Sequence, residues 1–554
     1  MRSGGRRAAL GHRPIFDTRT RLGATSLPIG PSPFFRRTRS SARVPRTRFP
    51  LSTDWFEQDA TSQAAAIARG EVDPRALVAA ARERLEQLDP KLGILSVLSG
   101  GSDAEIEFAL ATHGPFRGVP FLMKDVGARQ AGRPYYAGNR ALREADHRAD
   151  ADTPLGARFR ALGLVTLGNS RSPEFGLQSN TWPLVQGPTR NPWDTSRAAG
   201  GSSGGACAAV AAGLVPVAHA SDGAGSIRIP AAWCGLVGLK PSRDRIDWRH
   251  RGKQRPDVEF VVARSLRDTA RFLDLLRPAA CRAADAAPYS SVLAAAEAVS
   301  AASAGGSTRP RGAVRAGRRA ASPARRLRIA FWTRSPDGSA VHPDCRRAVE
   351  AAAARLERLG HAVVEAAPPG FSDRAEYADR SLHGAVLGLR DYRDCLDDLA
   401  ARIGRPVGPE DVEPFLWQLA HLGGADEIDP EALVRSAEWV AGWERRTLAW
   451  FDDYDVLVTP TVGCPAPFLD DLDPRVHEPL DLLAKMVPHM AFTEIWNATG
   501  QPALSLPLAQ TAAEGLPIGV QLVGAPGRED RLFALGAELM PSGIGLPQTP
   551  PAHG

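Results

Sequence analysis

Residues 200–242 read GGSSGGACAAVAAGLVPVAHASDGAGSIRIPAAWCGLVGLKPS. Two serine-bearing glycine clusters lie in this run, Gly200-Gly201-Ser202-Ser203-Gly204-Gly205 and Gly223-Ala224-Gly225-Ser226. Glycine lets the backbone take positive φ and lets other groups approach closely. Glycines beside a serine therefore suit bare N–H groups aimed at a reacting atom. Between the clusters, the alanine-rich stretch Ala206 to Ala212 predicts a short buried helix. Leu214 to Ala218 then predicts a buried strand. The second cluster follows that strand, where loops carrying chemistry sit in α/β sheets. A glycine–serine run alone reads as a flexible linker. Here the flanks are apolar and the serine chemistry recurs 24 residues on, from Ser202 to Ser226, which argues against a linker.

The run resembles the signature of the amidase signature hydrolases, with a Gly-Gly-Ser-Ser-Gly-Gly block and a later Gly-Ser-Ile-Arg-Ile-Pro block. Gly118 to Asp125 (GVPFLMKD) resembles that family's lysine segment, and Gly187 to Asp194 (GPTRNPWD) its lead-in. Asn497 to Pro502 (NATGQP) resembles its C-terminal segment, so the likeness covers most of Leu51 to Leu539. It implies an α/β fold, a single large domain with a mixed twisted β-sheet covered by helices on both faces. It assigns Ser226 as nucleophile, Ser202 as bridging serine after a cis peptide bond, and Lys124 as base. A lysine base must be neutral, and burial lowers its pKa by disfavouring the charged form. The backbone N–H groups of Gly223, Ala224, Gly225 and Ser226 would form an oxyanion hole. Ala224 stands where much of the family has glycine. It is also what a branch resembling 6-aminohexanoate cyclic-dimer hydrolases shows, along with the Pro216 to His219 lead-in. Ser203 is expected to hydrogen-bond locally or to cap a helix, and Asp222 and Arg228 to brace the loop as a pair.

Two serine–histidine readings compete. His219 falls on the apolar strand, where a satisfied core histidine is the ordinary outcome. Gly200 to Gly204 also fits GxSxG, the nucleophile elbow, which needs a strand immediately before it. Asn191 to Arg197 reads as a loop, which discounts the elbow.

Charge is unevenly distributed along the 554 residues, whose net charge is +6. Residues 1–50 hold twelve arginines and one acid, Asp17, a net +11, so the other 504 residues carry −5. Residues 309–326 add seven arginines and no acid, leaving a body near −12. A mildly acidic body with two basic appendages is not a nucleic-acid-binding fold, although the appendages could touch polyanions in a salt-dependent way. Residues 1–50 lack periodicity and read as a disordered basic extension, a transit-like segment or an over-extended start. The six cysteines, Cys207, Cys234, Cys281, Cys345, Cys395 and Cys464, form no CxxC pair, so neither zinc nor a disulfide framework is signalled. A reducing cytoplasm fits, and no apolar run is long enough to span a membrane.

Helices are predicted at Ser62 to Arg69, Pro74 to Leu88, Leu155 to Leu162, Leu266 to Leu276, His342 to Leu359, Glu376 to Ile403 and Pro430 to Phe451. Strands are predicted at Gly93 to Leu98, Val119 to Met123, Leu164 to Gly168, Val258 to Ala263, Leu327 to Thr333, His361 to Glu365, Asp455 to Pro460, Ala503 to Leu508 and Ile518 to Val523. Their alternation argues a largely parallel sheet. The catalytic domain is expected over residues 51–540, with 283–326 a disordered surface insertion and 541–554 a Pro/Gly-rich tail. The expected activity is amide hydrolysis on a small molecule, without cofactor or metal, by a chain for which a homodimer stays open. The alternative is an amidotransferase A-type subunit acting on misacylated tRNA with partner subunits. A basic polyanion-binding protein is a reading from another class and rests only on the two arginine-rich stretches.

Overall fold

The computed structural model describes residues 53–246, 257–278, 287–304, 326–422 and 429–540. The expectations for residues 1–50, for most of 309–326 and for 541–554 lie outside the described residues.

Among the described residues thirteen strands occur in chain order. They are β1 Leu95–Leu98, β2 Pro120–Lys124, β3 Val165–Ser170, β4 Arg190–Asn191, β5 Asp194–Ala198, β6 Val217–Asp222 and β7 Val237–Lys240. The others are β8 Val258–Ala263, β9 Arg328–Phe331, β10 Ala362–Glu365, β11 Val456–Pro460, β12 Ala503–Gln510 and β13 Pro517–Gly524. Eleven build one sheet in the order β1-β3-β2-β6-β8-β7-β12-β13-β11-β9-β10, and β4 with β5 forms a separate ribbon. The central strands β2, β7, β8, β11 and β13 are buried along their whole length, which is why they read as near-continuous apolar runs.

The sheet is mixed rather than largely parallel. Parallel pairing is confined to β3-β2-β6 and to β11-β9-β10. From β6 through β8, β7, β12 and β13 to β11, every pair is antiparallel. The cause is local for β12 and β13: Thr511 N donates to Leu516 O at 2.8 Å, closing a turn too short for a helical crossover.

Strand β6 runs from Val217 to Asp222, later than the predicted Leu214 to Ala218. Pro216 has no N–H to give a ladder, so pairing starts after it. Polar residues continue the strand because each finds a partner, as described below. The insertion expected at 283–326 is not disordered throughout: Tyr289–Ala304 is a helix. Asp274 receives Tyr289 N at 2.8 Å and Ser290 N at 2.9 Å, and Tyr289 and Leu293 are buried.

One end of the sheet positions the site. Strands β2 and β6 run parallel, with Leu122 opposite Ala218, so Lys124 and Asp222 end them on the same edge. Helix Gly204–Ala211, buried throughout, follows the first serine cluster, and helix Arg228–Cys234 follows the second. Helices Arg374–Ile403 and Pro414–Ala420 form a cover, and helix Pro430–Trp450 packs on the first of them. Leu399 and Leu416 of this cover join a core cluster with Ala137, against which Phe175 and Leu177 pack.

Candidate active site

Lys124 is wholly buried at the C-terminal end of β2. Its Nζ donates to Ser202 Oγ at 2.7 Å and to Ser221 Oγ at 2.8 Å. Burial pushes the ammonium pKa down to about 7, against the opposing pull of the Glu259 and Asp222 carboxylates. Near neutrality the amine is therefore divided between its two forms, as a proton carrier needs. Ser221 was not singled out from sequence. A hydroxyl two residues after a core histidine carries no motif, and only the β2–β6 pairing brings it to Lys124.

His219 is a core histidine. Its Nδ1 accepts the Lys124 backbone N–H at 3.2 Å, which places the ring proton on Nε2, 3.2 Å from Glu259 Oε2. Both ring nitrogens are thus committed, and no serine reaches them among the described residues. A strand does precede the first serine cluster, contrary to the loop expected at Asn191 to Arg197. Strand β5 arises because Asn191 Oδ1 accepts Trp193 N at 3.0 Å, tightening a turn back onto β4. The ribbon lies outside the main sheet, so Ser202 is still not on an elbow.

The Gly201–Ser202 peptide bond is cis. Thr181 holds this loop, donating from Oγ1 to Gly200 O at 2.9 Å and accepting Gly204 N at 3.1 Å. A side-chain carbon on Gly201 would meet Asn180 backbone atoms at 2.6–2.7 Å, so only glycine fits. The Asn180 amide itself is buried, and neither of its polar atoms has a hydrogen-bond partner among the described residues. Ser203 occupies the helix N-cap position, but its hydroxyl does not cap the helix. It donates to Ser221 O at 3.2 Å and accepts Ser221 N at 3.3 Å, lacing the loop to β6.

Ser226 is half-buried, and its carbonyl accepts Ser203 N at 3.3 Å, so the two serine loops lie side by side. Of the expected hydrogen-bonded chain, the Lys124–Ser202 link is formed. No hydrogen bond joins Ser202 Oγ to Ser226 Oγ among the described residues. Lys124 is instead shared between Ser202 and Ser221.

Asp222 and Arg228 are both fully buried and paired, with Arg228 Nε 2.9 Å from Asp222 Oδ2 and Nη2 2.8 Å from Oδ1. Burial alone would raise the Asp222 pKa, but the charge and hydrogen bonds of Arg228 hold it down to about 2. The carboxylate also receives Gly225 N at 2.8 Å and Ile227 N at 3.2 Å. This corrects the expected oxyanion hole: the Gly225 N–H is spent inside the loop, because the ionised Asp222 is the stronger acceptor. The N–H groups of Gly223, Ala224 and Ser226 have no partner among the described residues. Ala224 is not among the positive-φ residues, so alanine costs the loop nothing there. Gly225 does need glycine, at φ +130° with Thr493 Oγ1 2.4 Å from where a side chain would start. Thr493 Oγ1 in turn donates to Ala224 O at 2.6 Å.

Arg228 reaches on to Thr493 O and Gln521 Oε1, both at 2.9 Å, and to Asn497 Oδ1 at 2.6 Å. Asn497 opens the C-terminal segment that resembled the family, and its Nδ2 donates to Asp222 O at 2.8 Å. Thr493 and Gln521 had no sequence signal. Among the described residues no group of three or more His, Cys, Asp or Glu side chains could hold a metal ion, and no helix is long and apolar enough to cross a membrane.

Comparison with known proteins identifies the family. The Amidase family model matches residues 76–533. The 6-aminohexanoate-cyclic-dimer hydrolase of Pseudomonas sp. (strain NK87) is 35% identical over 507 residues, covering 87% of this chain and 94% of that protein. The enzyme of the same name from Paenarthrobacter ureafaciens is 35% identical over 499 residues, with the same coverage of 87% and 94%. A solved 6-aminohexanoate cyclic dimer hydrolase in complex with substrate superposes with a TM-score of 0.76 at 31% identity, over 90% of this chain and 100% of that one. The chain therefore belongs to the amidase signature family and is an amidase, a hydrolase of carbon–nitrogen bonds.

Proposed function

We propose that the chain cleaves a carboxamide through an acyl-enzyme on Ser226, with Ser202 and Lys124 as its proton relay. The observation that carries this reading is the buried Lys124 amine, 2.7 Å from the hydroxyl of the cis serine. A neutral amine has two N–H groups and one lone pair. An N–H given to Ser221 leaves the lone pair for the Ser202 proton. Ser202 then takes the proton of Ser226 as its oxygen attacks the substrate carbonyl carbon. The carbonyl oxygen gains negative charge, which the N–H groups of Gly223, Ala224 and Ser226 receive. The relay returns the proton to the departing nitrogen, and ammonia or an amine leaves. Water repeats the sequence on the ester and releases the acid.

The substrate class extends to linear and cyclic amides, since two relatives that cover 87% of this chain are named for the cyclic dimer of 6-aminohexanoate and others of similar coverage are named simply as amidases. A serine-reactive phosphonate tests the nucleophile. It should label Ser226 alone, and Ser226→Ala should fold yet abolish labelling. Labelling of Ser202 with Ser226 untouched would overturn the assignment. Turnover of simple amides by the chain purified alone separates this reading from a partner-dependent amidotransferase subunit.

A further inference from the structure

Two buried carboxyl groups lie beside the relay and take no part in it. Glu174 and Glu413 are 3% and 7% exposed. Glu174 belongs to the short turn Glu174–Gly176. Gly176 is so close to the relay that a side-chain carbon there would stand 3.3 Å from Ser202 Oγ. Glu413 precedes the cover helix Pro414–Ala420, where its side chain does not cap. The carboxyl groups instead tie the two segments together. Glu174 Oε2 accepts Glu413 N at 2.8 Å, and Glu413 Oε1 accepts Leu184 N at 2.6 Å. Asn139 Nδ2 donates both to Glu174 Oε1 at 2.8 Å and to Asp411 O at 2.7 Å. Glu413 Oε2 is buried without a hydrogen-bond partner among the described residues.

Charge around the pair is sparse. Among the described residues no cation lies within ion-pair reach of either carboxyl. Arg140, on the exposed face of the neighbouring helix Arg140–Glu144, acts on both from a distance. The Asp411 carboxyl is neutralised by Arg405, whose Nη1 and Nη2 each lie 2.6 Å from it. The Leu184 side contributes a backbone N–H and no charge. Two adjacent carboxylates in such a place cannot both be ionised without repelling each other.

Building on the amidase reading above, we propose that Glu174 and Glu413 are a proton-holding latch. It fixes the helical cover against the wall beside Ser202, and the site keeps its working geometry only while the pair retains a proton. The pair positions the site and does not touch the reacting atoms. Burial raises the Glu174 pKa to about 7, and burial together with the Glu174 charge raises that of Glu413 well above the ordinary range. Activity then has two limits of opposite sign. Lys124 must lose its proton as pH rises, whereas the latch must keep one.

The variant that tests this is Glu413→Gln. It keeps the oxygen that accepts Leu184 N–H and places its nitrogen where Oε2 meets nothing. The profile of kcat/KM against pH is the first readout. The wild-type chain should lose activity on the alkaline side, and E413Q should move that limb upward by at least about one pH unit, a roughly tenfold gain at a fixed alkaline pH. The acid limb, set by Lys124, should stay in place. Superimposable alkaline limbs would overturn the proposal.

The second readout needs no turnover. Between the free carboxyl value of about 4.3 and the raised value, the folded pair keeps protons that the unfolded chain has released, so stability falls as pH rises through that window. E413Q removes one titrating group. The difference in Tm between variant and wild type should therefore grow with pH across the window, and a flat difference would refute the latch even if the chain proved inactive on every amide tried. Arg140→Gln, a surface change, guards against misfolding of E413Q. Losing that cation should raise the pair's pKa and shift the alkaline limb upward, and an unmoved or lowered limb counts against the proposal.

Discussion

Two lysines, Lys124 and Lys240, are fully buried at the C-terminal ends of strands in the same sheet, and the pKa of each is lowered to about 7. Burial is the main cause for both. At Lys124 the Glu259 and Asp222 carboxylates oppose it, whereas at Lys240 the Arg228 cation reinforces it. What each amine faces is different. Lys124 Nζ meets two serine hydroxyls, while Lys240 Nζ gives a hydrogen bond to Pro241 O at 2.9 Å. A carbonyl has no proton to surrender. A lowered pKa makes a lysine able to act as a base, but only a neighbouring hydroxyl gives it something to do.

The largest effect should separate the two. Lys124→Met should lower kcat/KM by roughly 10³-fold, the scale of a lost general base. Ser202→Ala should cost about 10²-fold, less than loss of the base, because water can partly bridge Lys124 and Ser226. The pH dependence comes next. With neutral Lys124 as the working form, kcat/KM should rise with pH through about 7. His219→Asn should leave the position of that rise unchanged, because the imidazole serves β2 and Glu259 and no serine. Ser221→Ala removes one hydrogen bond, worth about 1 kcal/mol, and should slow turnover about fivefold. The smallest effect belongs to Lys240→Met, which should keep activity within about threefold and stability within about 2 kcal/mol, as volume-matched replacement of a buried charge usually does. A large loss of activity in Lys240→Met with the fold intact would break the comparison.

The parts of the site legible in sequence are those whose chemistry is local. Serines among glycines, and Asp222 six residues before Arg228, carry their geometry in their spacing. Ser221 and Gln521 do not, because strand pairing and an arginine reaching across the core bring them in. The fate of the Gly225 N–H was illegible for a related reason: a backbone donor serves whichever acceptor is strongest, and Asp222 outcompetes the site. The fold divides in the same way. Strand β8 and the helix Leu266–Leu276 follow their apolar patterns residue for residue. The antiparallel middle of the sheet was hidden because a buried strand reads the same in either direction. Helix Tyr289–Ala304 was hidden because a run of small residues shows no apolar face, and its anchors Tyr289 and Leu293 are too few to set a period.

Arg228 has a consequence for how the enzyme comes into being. Its partners Thr493, Asn497 and Gln521 lie 265, 269 and 293 residues further along the chain. A ribosome making this protein releases Lys124, Ser202 and Ser226 long before those partners. During that interval the emerging chain carries Lys124 and both serine loops, yet nothing spans from Arg228 to Thr493, Asn497 and Gln521. The completed Arg228 network therefore cannot form before Gln521 has been made. A chain cut short before Gln521 would leave the buried Arg228 guanidinium without that partner.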